Sequence, residues 1–116
     1  QNWYSFSSGI QGVLLTAAFA QGGKARTEVY IDQGEQDVNK KLFDALKKRE
    51  QSITKKYGTS FEWERLDDKR SSRIAIYREG TIESPDSELE EIRKWHIENL
   101  LKLKKILIPE IRRLLK

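Results

Sequence analysis

Residues 25 to 32 read ARTEVYID. On alternate positions one side of this stretch presents Arg26, Glu28, Tyr30 and Asp32, and the other presents Thr27, Val29 and Ile31. Carboxylates beside an arginine and a phenol can do two kinds of work. They can hold a divalent cation that polarises a phosphate and activates water, or they can form a charge-paired surface on which another molecule docks. What the rest of the chain supplies around them decides between these.

A metal-dependent nuclease core of the PD-(D/E)XK type needs an acid on one strand and an acid-x-Lys on the next. Here Glu28-Val29-Tyr30 has no lysine two residues on, and the apolar segment before it has no acid. Asp67-Asp68-Lys69 spells acid-x-Lys, but in a turn that follows a helix. A degenerate nuclease centred on Glu28 and Asp32 is therefore the third reading, behind two non-catalytic ones. The seven glycines are scattered turn residues rather than a phosphate-cradling motif. The absence of Cys removes thiolate nucleophiles and disulfides, and His96 as the single imidazole leaves zinc without ligands. His96 also falls on the apolar stripe of a helix, where a core role outweighs a catalytic one. No cofactor, metal site or catalytic residue is expected, and the chain does not read as an enzyme.

Chemistry at Arg26 to Asp32 depends on the elements that hold it. A chain of 116 residues fits one domain with one core, and three Trp, four Tyr and four Phe supply that core despite 34% charged residues. Trp3 to Ser7, Val13 to Ala20 and Arg26 to Asp32 read as strands joined by short glycine turns, an antiparallel meander. The apolar run GVLLTAAFAQ imitates a signal peptide, but no basic residue precedes it and it is too short to span a membrane. From Glu35 onward Val38, Leu42, Ala45, Leu46, Ile53 and Tyr57 form one helical stripe, with Gly58 as its stop. Phe61 and Trp63 alternate with Glu62 and Glu64, and Ile74 and Ile76 with Arg73, Ala75 and Tyr77, giving two more strands. Ser87 and Glu90 form a capping box for a long last helix, and Pro109 is expected to bend it. The fold class is α+β: a mostly antiparallel five-stranded sheet with two helices on one face, in the order βββαββα. Residues 1–116 read as a single domain, excised from a longer cytoplasmic protein because the first residue is Gln and no Met is present.

The pieces NWYSFSSGI, EVYID, NKKLFDAL, the run Trp63-Glu64-Arg65-Leu66, SRIAIY and Trp95 together resemble the family catalogued as domain of unknown function 4268. They cover most of the chain. The resemblance implies a prokaryotic domain, often C-terminal to a nuclease-like region, and brings no catalytic residues with it.

Two functional surfaces are expected. The first is a polar contact face of Arg26, Glu28, Tyr30, Glu64, Arg73 and Tyr77, brought together if their strands are neighbours. It would serve other domains of the same protein or a protein partner. Simple alternation assigns this face to water, as a ladder of opposite charges. The second is the last helix. From Arg93 to the end there are eight basic and two acidic residues, a charge of +6, whereas the remainder carries 14 basic and 16 acidic, or −2. Arg93, Lys94, Lys102, Lys104, Lys105, Arg112 and Arg113 are candidate contacts to the phosphates of DNA. Surplus apolar residues at the end of that helix, Ile111, Leu114 and Leu115, suggest a homodimer there.

Overall fold

The computed structural model describes residues 2–116, omitting the side chains of Asn2 and Trp3. Apolar alternation draws the first strands together: β1 (Asn2–Ser7), β2 (Val13–Ala20) and β3 (Lys24–Ile31) form the expected meander. The chain then leaves the sheet for α1 (Gln36–Lys47) and α2 (Glu50–Tyr57). It returns as β4 (Glu62–Glu64) and β5 (Ser72–Glu79), and ends in the long α3 (Asp86–Leu114). All four strand pairings are antiparallel, in the order β1-β2-β3-β5-β4, so β5 lies beside β3 and β4 takes the edge. The α+β class and the five-stranded antiparallel sheet match the sequence reading.

One face of the sheet is dry. Val13, Leu15, Ala17, Val29, Ile31, Ile74 and Ile76 point into it. Leu100, Leu103, Leu107 and Ile111 from α3 meet them there, with Leu42, Phe43 and Leu46 from α1 and Ile53 and Tyr57 from α2. Gly58 closes α2 with φ of 93°, the left-handed geometry that a glycine adopts without penalty.

Three details differ from the expectation. The first helix is two pieces, giving three helices in all: Lys48 and Arg49 form a turn between α1 and α2, and Arg49 has φ −100° and ψ 15°. Neither glycine nor proline marks the break. Its cause is tertiary, since Arg49 Nε lies 2.6 Å from the buried carboxylate of Glu110 on α3. Second, Ser87 is not a cap: α3 starts at Asp86 behind Pro85, with no side-chain cap bond. Third, Ile111 is fully buried, and only Leu114 and Leu115 remain outside, beside Val38. They border a small apolar cleft of about 240 Å³. No helix among the described residues is long and apolar enough to cross a membrane.

Candidate functional site

No helix among the described residues covers the second face of the sheet. Register decides what gathers there. Arg26 lies opposite Tyr77, Glu28 opposite Ala75 and Tyr30 opposite Arg73 on β5, while Glu64 of β4 lies opposite Arg73. The six residues expected to share a face therefore do so.

The face is not the solvated ladder that alternation suggests. Glu28 is only 4% exposed, because the long side chains of its neighbours roof it. Arg26 Nε sits 2.6 Å from Glu28 Oε1, and Arg73 Nη1 approaches the same oxygen at 3.5 Å. Arg73 Nη2 also reaches Glu64 Oε1 at 3.0 Å, and the Tyr77 hydroxyl donates to Glu64 Oε2. Burial, and then the carboxylate it donates to, push the Tyr77 phenol above its ordinary range. The result is one continuous chain of charge, Arg26–Glu28–Arg73–Glu64–Tyr77, held rigid on three strands. Tyr30 and the exposed Leu14 flank it, paired across β3 and β2.

This geometry separates the acids that a nuclease would need to converge. The cross-strand partners of Glu28 are Thr16 and Ala75, so neither neighbouring strand places a second carboxylate opposite it. Asp32 belongs to another cluster: Arg70 Nη2 lies 2.6 Å from its Oδ2 and holds the carboxyl below the usual range. No group of three or more potential ligands gathers among the described residues. What the Glu28 carboxylate does is keep two guanidinium groups side by side. Glu28→Gln is expected to cost about 1 kcal/mol in urea unfolding, with part of the loss recovered in high salt.

The basic residues of α3 are more scattered. Arg93 is paired with Glu90 at 2.5 Å. The Lys102 ammonium stands 4.2 Å above the Tyr57 ring, and Arg113 comes within 3.5 Å of Glu110. Lys94, Lys104, Lys105 and Arg112 are exposed. His96 is fully buried against β3, where its Nδ1 lies 2.8 Å from Thr27 Oγ1. Burial lowers its pKa to about 4, so the ring is neutral near pH 7.

Three polar residues that carry much of the architecture were not singled out by the sequence. Asn39 is fully buried and accepts from the Gln33 N–H at 2.6 Å while donating to Arg70 O at 2.9 Å. Lys40, 6% exposed, points its ammonium into three carbonyls of the β4–β5 connection and the Ser72 hydroxyl at the start of β5. Glu110, 2% exposed, gathers Arg49 and Lys56. The available signal was that Asn39, Lys40 and Glu110 interrupt, or stand beside, apolar helical stripes.

A family model described as Domain of unknown function (DUF4268) matches residues 1–110. No curated protein and no solved structure matches the chain.

Proposed function

The chain belongs to the DUF4268 family, and on that premise we propose that it is a non-catalytic docking domain, serving contact with another domain of the same protein or with a partner protein. The observation that carries this reading is the uncovered sheet face with its preformed Arg26–Glu28–Arg73–Glu64–Tyr77 chain. A two-layer fold leaves one sheet face to water or to a partner. A face held rigid in advance loses little side-chain entropy on binding, and tyrosine and arginine are the residues that interfaces favour. The acids on this face weigh against a nucleic-acid backbone as its occupant.

Position-specific photocrosslinking in cells tests the reading. With p-benzoylphenylalanine introduced at Leu14 or Tyr30, discrete protein adducts are expected; at Lys94 or Lys105 on the outer side of α3, they are not. Adducts confined to α3 positions, or a salt-sensitive gel shift with generic duplex DNA and no adduct from Leu14 or Tyr30, would replace this reading by nucleic-acid binding through the basic helix.

A further inference from the structure

The two edges of the sheet are not alike, and β4 is only three residues long. The Gly80 N–H donates to Gly23 O at 2.9 Å. Stepping by two along the register from that bond, Arg78, Ile76 and Ile74 aim their backbone groups at β3. Arg73, Ala75, Tyr77 and Glu79 aim theirs the other way. β4 covers Arg73 and Ala75 through Glu64 and Glu62. Ahead of Glu62 the chain at Thr59 and Ser60 is no longer strand and the register with β5 stops, so Tyr77 and Glu79 face a gap in the ladder. Glu79 O takes the Arg78 guanidinium at 3.0 Å. The Tyr77 N–H and C=O and the Glu79 N–H are left as pairing groups.

The gap opens into a hollow of about 480 Å³ on the uncovered face, lined by Glu62, Glu64, Thr59, Ser60 and Tyr77 among others. Of the acids that line it, Glu64 is held by Arg73 and Tyr77, which leaves Glu62 as the uncommitted charge. The Glu62 side chain is exposed and makes no ion pair or hydrogen bond among the described residues. Lys24 also lines the hollow, and its ammonium is held by Glu79 at 2.6 Å. An unpaired strand edge recognises extended backbone, and pockets beside it select alternate side chains.

We propose that this hollow receives an extended basic segment of a partner protein, which adds as a short strand beyond β4 against Tyr77 and Glu79 and sets a Lys or Arg side chain against Glu62. The proposal rests on the uncovered face being a docking surface and names what docks there. Cross-strand alternation places the segment's other side chains against the edge at Ile76 and toward solvent.

Selection of random octapeptides displayed on phage against the whole chain tests it. Enriched sequences are expected to carry Lys or Arg among β-branched residues. Their synthetic counterparts should shift the amide resonances of Tyr77 and Glu79, and Glu62→Lys should weaken them about tenfold or more. Glu62 is exposed, so that change leaves the fold intact. No enrichment, enrichment of acidic or uncharged sequences, or binding indifferent to Glu62→Lys would overturn the proposal. If it fails while crosslinks from Leu14 and Tyr30 persist in the Glu62→Lys protein, the docking face survives and only its occupant is wrong. Loss of the crosslinks from the unaltered protein removes both.

Discussion

Lys40→Met is expected to destabilise the protein by about 3 kcal/mol. The Lys40 ammonium donates to Arg65 O at 2.5 Å, Leu66 O at 2.8 Å, Ser71 O at 2.5 Å and Ser72 Oγ at 3.1 Å. It thus ties α1 to the segment joining β4 and β5, and with it the edge on which Glu64 and Arg73 sit. Burial lowers its pKa, yet no carboxylate bonds to it directly. Methionine keeps the apolar stem of the side chain but leaves the Ser71 carbonyl without its donor, and leaves Arg65 O with only the Ser72 hydroxyl and Leu66 O with only the Lys69 N–H. Leu66 is the single non-glycine residue with positive φ, 57°, among those described. A leucine in that conformation is strained, and the bond from Lys40 is part of what holds it. Thermal unfolding should fall by about 10 °C for a domain of this size, with amide exchange rising first in residues 65–72. Lys40→Arg should not rescue, because a planar guanidinium is wider than the carbonyl cage. Lys41→Met, one position along on the exposed side of α1, should change little. A Lys40→Met protein as stable as the parent would show that the cage is satisfied by water instead.

Why these contacts escaped the sequence is a matter of range. Alternation is local, and it assigned correctly which side of β3 holds Thr27, Val29 and Ile31 and which holds Arg26, Glu28 and Tyr30. It could also assemble the polar face, since Glu64, Arg73 and Tyr77 follow the same parity on their own strands. What parity cannot give is exposure. Glu28 has the parity of a wet residue and is nonetheless buried, because Arg26 and Arg73 from two strands close over it. Lys40 and Asn39 look like ordinary polar residues on the shoulder of a helix. Their partners lie about thirty residues on, in a loop whose path is set only once β5 has paired with β3. The divided first helix has the same origin. KKRE favours helix throughout, so the turn at Lys48 and Arg49 is legible only from Glu110, 61 positions away.

Glu110 gives the second large effect, and its sign follows from its partners. Arg49 Nε lies 2.6 Å from one carboxylate oxygen and Lys56 Nζ 2.9 Å from the other, with Arg113 at 3.5 Å. The Arg49 hydrogen bond first, then that from Lys56, outweigh burial and bring the pKa from 4.5 down to about 2. A carboxyl group that is more acidic folded than unfolded stabilises the fold fully above its unfolded pKa. That contribution shrinks as the pH falls below about 4.5 and is gone near pH 2. Taken whole, such a shift corresponds to about 3 kcal/mol. The Arg49 and Lys56 side chains are 41% and 51% exposed, and screening by solvent brings the expected loss for Glu110→Gln to about 2 kcal/mol at pH 7. Urea unfolding of parent and variant across pH 7 to 2 reads this directly, as a gap constant above pH 5 that closes on acidification. Arg49→Ala should narrow the same gap and also loosen the turn between α1 and α2, because that turn is where Arg49 leaves the helical line to reach α3. A gap that stayed constant down to pH 2 would mean that packing around the Glu110 stem, rather than its charge, joins the helices.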